Sequence, residues 1–274
     1  MRVLALANLD GQAPPRAALQ TVARAAGVAA IVFVGDVLPP RDGLIADDAD
    51  RYDAFFGALA ALGLPVAIIP GERDRPGGLL RQVAETYASR TRPFAVVDRT
   101  VLPLTPRLIV GGLGGLLPDG PAHEDVPSEI YAALAPLRCH AGALLLAHTP
   151  PRGRIVSRDG GQQVGRWVVN ALIEALGVRL VVCGHAQDGQ GQENIGPALV
   201  VNPGPLSAGR YAIIDPHRRS VCFGVLPRYP EGRTTSAPAR RRGGWRETTY
   251  RHAHLLQSSG STAPRPGAVA TAAW

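Results

Sequence analysis

The chain has 274 residues, of which 46% are apolar and 19% are charged, a composition typical of globular rather than fibrous or disordered proteins. No apolar run approaches the roughly 18 residues that cross a bilayer, so we expect no membrane-spanning helix. The net charge of +7 belongs to the C-terminal part: residues 228–274 hold eight arginines and two glutamates, a net of +6, which leaves +1 for residues 1–227. A globally basic surface for nucleic acid is therefore not predicted.

Short apolar runs that alternate with segments of helical period predict an α/β domain. The predicted strands cover residues 2–7, 29–34, 64–69, 94–98, 107–111, 142–147, 179–183, 198–202, 210–214 and 220–225. The predicted helices cover residues 51–62, 77–89 and 163–176. Asp47 or Asp48 is the expected cap of the first of these helices, and Gly63 and Gly177 are expected to end the first and the last. Because no helix separates the last three strands, that part of the sheet is expected to be antiparallel or mixed.

The composition changes after about residue 227 to Pro, Gly, Ser, Thr, Ala and Arg without a sustained period. We therefore expect one domain at residues 1–227 and a disordered tail at 228–274, with a short ordered patch around 245–256. The arginine run at 240–242 is expected to solvate the tail, and the alternative is that this basic tail, and no other part of the chain, binds nucleic acid or an anionic surface.

The cysteines Cys139, Cys183 and Cys222 are far apart and form no CxxC pair, so neither a disulfide framework nor a thiolate zinc site is predicted. All three are expected to be buried thiols. The apolar stretch at the N-terminus is too short for a signal peptide, and together these features favour a cytoplasmic protein.

Polar residues follow five of the predicted strands, at the ends where open α/β sheets bind ligands. They are Asn8 and Asp10, then Asp36, then Glu72, Arg73 and Asp74, then His148, and finally His185 and Gln187. Each residue alone is more typical of a turn or a core position than of a site. Carboxylates, imidazoles and amide oxygens that converge from separate strands are, however, the ligands that a divalent cation of borderline hardness requires. Gly35, Gly71 and Gly184 directly precede three of these ends and would permit close backbone approach.

The order of these segments resembles the calcineurin-like metallophosphoesterases, in which D-x-H, G-D, G-N-H-[DE], a lone H and G-H-x-H each follow a strand. The corresponding stretches are Asn8-Leu9-Asp10, Gly35-Asp36, Gly71-Glu72-Arg73-Asp74, Ala147-His148 and Gly184-His185-Ala186-Gln187. Only Asp36, His148 and His185 keep the family's residue at a ligand position. The resemblance covers roughly residues 1–225 and implies a four-layer αββα sandwich of two mixed sheets flanked by helices.

The resemblance also implies two metal positions that share one aspartate. The first position would consist of Asn8, Asp10, Asp36 and Gln187, and the second position of Asp36, Glu72, His148 and His185. The first position offers only oxygen donors, two of them neutral, so we expect it to bind weakly or to prefer a hard ion. One divalent ion is expected, with two as the alternative. Mn²⁺ is the expected metal, and Mg²⁺, Fe²⁺ and Zn²⁺ are the alternatives.

The function that the resemblance implies is hydrolysis of a phosphomonoester or phosphodiester by metal-bound hydroxide, with Asp36, His148 and Arg73 as the catalytic residues. Arg73 replaces a histidine that in the family helps to protonate the leaving group or to hold the phosphoryl oxygens. A guanidinium cannot donate that proton but binds phosphate well, so slow turnover is expected unless the leaving group is good. The bland alternative for Arg73 is a surface ion pair with Asp74 or Glu72.

A second function remains open at this stage. A catalytically weak or inactive family member would bind a nucleotide or a phosphorylated partner and act as a regulator. For the enzyme, the expected partner is a small phosphoester or nucleotide substrate; neither the identity of the substrate nor the oligomeric state is predicted.

Overall fold

The computed structural model describes residues 1–40, 47–74, 77–89, 92–118 and 126–226. In these ranges the chain forms five α-helices and fourteen strands. The helices are α1 (Arg16–Ala25), α2 (Asp48–Ala60), α3 (Gly77–Glu85), α4 (Ser128–Leu134) and α5 (Trp167–Leu176). The strands are β1 (Arg2–Leu6), β2 (Val28–Phe33), β3 (Val66–Ile68), β4 (Phe94–Val96), β5 (Val101–Thr105), β6 (Leu108–Leu113), β7 (Ala143–Ala147), β8 (Arg158–Asp159), β9 (Gln162–Gln163), β10 (Leu180–Cys183), β11 (Gly191–Ile195), β12 (Ala198–Asn202), β13 (Arg210–Asp215) and β14 (Ser220–Val225).

Two six-stranded mixed sheets organise the domain. The first sheet has the order β14-β13-β1-β2-β3-β4, and the second has the order β11-β12-β10-β7-β6-β5. In the first sheet β1 to β4 are parallel, whereas β13 and β14 are antiparallel to their neighbours. In the second sheet β12, β10, β7 and β6 are parallel, with antiparallel β11 and β5 at the edges. The carboxyl ends of the parallel strands therefore share one edge in each sheet.

Side chains alternate between two layers along the central strands. In β1, Val3 and Ala5 pack between the two sheets, whereas Leu4 and Leu6 pack against the helices of the first sheet. The second sheet packs its other face against α4 and α5 in a third apolar cluster. Because successive side chains of a strand point to opposite faces, each sheet packs one face against the other sheet and the other face against helices. The result is the expected four-layer αββα sandwich. The predicted fold is thus confirmed.

Several elements were not predicted, and each has a physical reason. Helix α1 buries Ala18, Leu19 and Ala23. Because this buried face is mainly alanine, it differs little in hydrophobicity from the rest of the helix, and its period is hard to detect in the sequence. Strand β11 lies at a sheet edge, and its sequence is mostly polar with every second residue exposed. It therefore contains no apolar run from which a strand could be predicted. The other unpredicted elements are α4, β5, β8 and β9.

The helix ends agree only in part with their predictions. Gly177 ends α5 in the left-handed conformation at φ 62°, as predicted. Asp47 is the N-cap residue of α2 but makes no side-chain capping hydrogen bond. The last three strands are not consecutive in one sheet: β13 and β14 form an antiparallel pair, while β12 lies in the other sheet.

Three further sequence-based expectations concern the tail, the membrane and the cysteines. The tail at 228–274, with its arginine run and its predicted ordered patch, lies outside the described residues. None of the helices that the structure describes is both long and apolar enough to cross a membrane. Cys183 is buried, as predicted, but Cys222 is exposed, because it alternates outward on the edge strand β14. The side chain of Cys139 lies outside the described part.

Candidate active site

The candidate site lies where the carboxyl-end loops of the two sheets meet. The backbone N–H of His185, after β10, donates to Oδ1 of Asn8, after β1, at 3.2 Å. The ring Nδ1 of His148, after β7, donates to the carbonyl oxygen of Val34, after β2, at 2.7 Å. All the predicted site residues are linked by contacts into one network, whose members are Asn8, Asp10, Asp36, Glu72, Arg73, His148, His185 and Gln187.

Four of these residues hold a backbone conformation that is uncommon outside glycine. The φ angles are 52° at Asn8, 55° at Asp10, 63° at Asp36 and 62° at His185. Asn, Asp and His tolerate the left-handed region better than other residues, and such strain concentrates at functional sites. The left-handed turn aims each side chain back across the strand end.

Two glycines allow the loops after β2 and β3 to touch. A Cβ at Gly35, where φ is +93°, would lie 2.7 Å from Nδ1 of His148 and 2.5 Å from the backbone nitrogen of Gly71. A Cβ at Gly71 would lie 2.1 Å from Oδ1 of Asp36. Both positions therefore require glycine, as the sequence predicted.

Asp36 is at the centre of the network and is fully buried. Its Oδ1 accepts the backbone N–H of Arg73 at 3.0 Å. Its Oδ2 lies 3.4 Å from Nδ2 of Asn8, 3.6 Å from Nε of Arg73 and 3.6 Å from Nε2 of His148. Burial, helped by the charges of Glu72 and Asp10 and opposed by Arg73, raises the pKa of Asp36 to about 6.

His148 presents an unused lone pair to this carboxylate. Its Nδ1 must carry the hydrogen, because the carbonyl oxygen of Val34 can only accept. Burial lowers the pKa of His148, so the ring is neutral and Nε2 is the bare nitrogen. Within the described residues Nε2 is buried and has no hydrogen-bond partner. A ring that donates one N–H to a backbone carbonyl and points its other nitrogen at a carboxylate has the arrangement of a metal ligand.

His185 and Glu72 form a second pair beside the first. Nδ1 of His185 lies 3.5 Å from Oε1 of Glu72, and its ring packs edge-on against His148 with the centroids 5.5 Å apart. Burial lowers the pKa of His185, and the neighbouring His148 lowers it further. Both imidazoles are therefore neutral and available as nitrogen donors.

Asp10 lies on the opposite side of Asp36 and is bound by the guanidinium of Arg73. Its Oδ1 accepts from Nη1 of Arg73. Its Oδ2 accepts from Oγ of Ser207 at 2.9 Å and from Nε2 of Gln187 at 3.3 Å. Burial raises the pKa of Asp10, although the hydrogen bond from Ser207 and the charge of Arg73 work against it.

Two residues of this neighbourhood were missed or misjudged from the sequence. Ser207 follows β12, which is parallel to β10, so the end of this strand could have been examined with the others. The alternative that Arg73 pairs with Asp74 at the surface is wrong, because Asp74 is fully buried. Its carboxylate accepts from the hydroxyl of Tyr52 and from the backbone N–H groups of Asp36, Val37, Leu38 and Gly71 at 2.7–3.3 Å. Asp74 therefore ties the loop after β3 to the loop after β2.

The ligand set fits a divalent ion in its chemistry. Among the residues that the structure describes, no three His, Cys, Asp or Glu side chains converge closely enough to form a metal group. They stand instead in pairs, Asp36 with His148 and Glu72 with His185. Two carboxylates and two neutral imidazoles are donors that Mn²⁺, Fe²⁺ and Zn²⁺ all accept, and the bare Nε2 of His148 is the atom that lacks a partner.

The raised pKa of Asp36 makes the metal-free protein less stable as the pH rises. The folded state binds the proton more tightly than the unfolded chain, so the free energy of unfolding falls between about pH 4 and pH 6. A shift of about two pKa units corresponds to at most about 3 kcal/mol. Asp36→Asn should remove this loss, so that in excess chelator the variant matches the native protein near pH 4 and exceeds it by up to about 3 kcal/mol at pH 7.

Urea denaturation of both proteins at several pH values measures this difference. A difference that does not change between pH 4 and pH 7 would contradict the burial argument. Asp53→Asn, at an exposed position of α2, is the control for the loss of one carboxylate outside the site.

Comparison with known families supports the assignment of the fold. The model of the calcineurin superfamily of metallophosphoesterases matches residues 45–226, more than half of the chain. No curated protein matches the chain.

Solved structures show the same fold. The crystal structure of TT1561 from Thermus thermophilus is 27% identical, with a TM-score of 0.67 over 82% of this chain and 99% of that one. Another crystal structure is 24% identical, with a TM-score of 0.71 over 82% of this chain and 99% of its own. A dimetal phosphatase from Danio rerio is 13% identical, with a TM-score of 0.56 over 82% of this chain and 96% of that one. At these last two identities the likeness concerns the fold alone.

Proposed function

The chain belongs to the calcineurin superfamily of metallophosphoesterases, and on that premise we propose that it hydrolyses a phosphomonoester or phosphodiester with a divalent ion bound at the second position. The observation that carries this proposal is the buried Nε2 of His148, which lies 3.6 Å from Oδ2 of Asp36 without a hydrogen-bond partner in the described part of the chain. A buried polar atom without a partner costs free energy, and a bound ion would remove that cost. The ion would be shared by the carboxylate and the lone pair.

Four side chains would hold the ion: Asp36, Glu72, His148 and His185. Mn²⁺ is the expected metal, because the set mixes oxygen and nitrogen donors and contains no thiolate. When bound, such an ion neutralises charge on the phosphoryl group and lowers the pKa of an attacking water. The chain's own contribution is to hold the ligands, since Val34 fixes the tautomer of His148 and Asn8 fixes the backbone of His185.

Arg73 would bind the phosphoryl oxygens of the substrate. Its contacts to Asp10 and Asp36 use Nη1 and Nε, and Nη2 is a further donor group of the guanidinium. Guanidinium groups form strong hydrogen bonds to phosphate but cannot give a proton to a leaving group. General acid help is typically worth about 10² to 10⁴ in rate, so substrates with acidic leaving groups are expected to react much faster than others.

The test uses the purified full chain with Mn²⁺ and bis(p-nitrophenyl) phosphate, whose leaving group needs no acid. We expect hydrolysis that a chelator abolishes and that added Mn²⁺ restores. His148→Ala should lower kcat/KM by at least about 10²-fold, because a ligand of the ion is lost. His217→Ala removes an imidazole outside the site, from the turn between β13 and β14, and should change nothing.

Activity that survives complete removal of metal would contradict the proposal. Equal losses in His148→Ala and His217→Ala would contradict it as well. Circular dichroism of both variants checks that the fold is retained.

One observation favours a second candidate function. The guanidinium of Arg73 contacts Asp10 and approaches Asp36, both of them residues of the first position. A family member altered in this way could bind a nucleotide or a phosphorylated partner without turning it over, and act as a regulator. Retained metal and nucleotide binding by calorimetry, with no hydrolysis of the nitrophenyl diester, would favour this candidate over the enzyme.

A further inference from the structure

The carboxylates of the first position already have a cation between them. Nη1 of Arg73 binds Oδ1 of Asp10, and Nε of Arg73 lies 3.6 Å from Oδ2 of Asp36. The backbone N–H of Arg73 also donates to Oδ1 of Asp36 at 3.0 Å, which places the start of the side chain beside that carboxylate. The guanidinium therefore joins one residue from the loop after β1 to one from the loop after β2.

The two neutral members of the first position are engaged as well. Asn8 turns Nδ2 towards Asp36 and uses Oδ1 to accept the backbone N–H of His185. Gln187 turns Nε2 towards Oδ2 of Asp10. Each amide thus points a donor, not an oxygen, at a carboxylate. A metal ion would require both amides to reverse.

Charge explains why a cation belongs at this place. Asp10 and Asp36 are mostly removed from water, with 13% and 1% of their side chains exposed. Two carboxylates so placed need a positive partner close to them. A guanidinium meets this need permanently, because it stays protonated in proteins and its fork can bind two carboxylates at once.

We propose that the guanidinium of Arg73 takes the place of a metal ion at the first position, so that the chain holds one divalent ion beside a fixed internal cation. The inference rests on the proposed function for the second position, where, besides the shared Asp36, the guanidinium reaches only Glu72 of the described ligands, with Nε of Arg73 4.0 Å from Oε1 of Glu72. It assigns Arg73 two tasks at once: it holds Asp10 and Asp36 through Nη1 and Nε, and it offers Nη2 to the substrate. The rival is a mobile arginine that an incoming ion displaces.

The stoichiometry of bound metal separates these alternatives. The native chain, Arg73→Gln and Arg218→Gln are dialysed to equilibrium against Mn²⁺, and the ions per chain are counted by elemental analysis. Arg73→Gln keeps a polar side chain of similar length without the charge. Arg218→Gln removes a guanidinium from the turn between β13 and β14 and is the matched control. We expect one ion in the native chain and in Arg218→Gln, and two in Arg73→Gln.

A spectroscopic measurement on the same samples needs no activity. Two Mn²⁺ ions that share the Asp36 carboxylate would be magnetically coupled, so Arg73→Gln should show a coupled paramagnetic resonance spectrum where the native chain shows that of an isolated ion. Arg73→Lys keeps the charge without the fork and serves as a second variant if the glutamine variant does not fold. It should admit the second ion more weakly than Arg73→Gln.

The outcomes separate this inference from the proposed function. Two ions in the native chain, or the same number in the native chain and Arg73→Gln, would overturn the inference. No ion in the native chain would overturn the proposed second position. In that case one ion gained by Arg73→Gln would still support the inference, and none gained would overturn it.

Discussion

Asp36→Asn should lower kcat/KM for the nitrophenyl diester by at least about 10³-fold, equivalent to about 4 kcal/mol of transition-state stabilisation. The reason is that Asp36 is the one carboxylate that faces both halves of the site. Its Oδ2 lies 3.6 Å from Nε2 of His148 and 3.6 Å from Nε of Arg73. Asparagine keeps the shape of the side chain but removes its negative charge. That charge pairs with the guanidinium of Arg73 and would hold the proposed divalent ion.

The same substitution is expected to stabilise the metal-free protein at neutral pH, because it removes a buried carboxylate that is costly to ionise. A variant that is more stable yet inactive would show that the carboxylate is retained for function rather than for folding. Steady-state kinetics with saturating Mn²⁺ measures the loss, and Asp53→Asn is the control. Activity within tenfold of the native enzyme would show that Asp36 is not a ligand of the ion on which the reaction depends.

Asp74→Ala should lower the free energy of unfolding by about 3 to 5 kcal/mol, the largest expected effect on stability. The variant leaves the backbone N–H groups of Asp36, Val37, Leu38 and Gly71 without their acceptor in a buried place. Burial raises the pKa of Asp74, so part of the gain from these bonds offsets the removal of the carboxyl group from water. The loss on substitution comes from the buried donors that remain without a partner.

Two further variants grade this effect. Asp74→Asn keeps one acceptor oxygen but turns an amide N–H₂ towards backbone donors, so its loss should approach that of Asp74→Ala. Tyr52→Phe removes the hydroxyl that donates to Oδ1 of Asp74 at 3.3 Å and should cost only about 1 kcal/mol. Urea denaturation at pH 7 in chelator measures all three. A loss below about 1 kcal/mol for Asp74→Ala would mean that water replaces the carboxylate.

Much of the site could be predicted from spacing along the chain. Asp36, His148 and His185 each follow a buried apolar run, and the carboxyl ends of parallel strands lie at one edge. The convergence of these side chains therefore required only the correct strands and the correct fold. The glycine at position 71 could be assigned for the same reason, because a close approach of two loops admits no Cβ.

The partners of individual atoms could not be predicted. Arg73 was expected to clamp a phosphoryl group, with an ion pair to Asp74 or Glu72 as the alternative; the structure places it 4.0 Å from Glu72 and also against Asp10, 63 positions away, which was not predicted. The left-handed φ of Asp10 turns its carboxylate towards the loop after β3, and no propensity specifies that turn. Ser207 was not predicted as a site residue. Its hydroxyl can donate to Asp10 only because β12 pairs with β10, which brings the loop after β12 to the site.

Strand period and side-chain chemistry are local properties, so the residues alone were enough to predict which loops meet and which donor atoms those loops carry. The tertiary structure alone decided how the charges pair, since that depends on the directions of side chains from strands far apart in the chain. It placed the guanidinium of Arg73 between two carboxylates and left Nε2 of His148 bare beside one of them. That asymmetry distinguishes the two positions: Arg73, Asp10 and Asp36 all follow strands of the first sheet, whereas His148 approaches Asp36 from the second sheet.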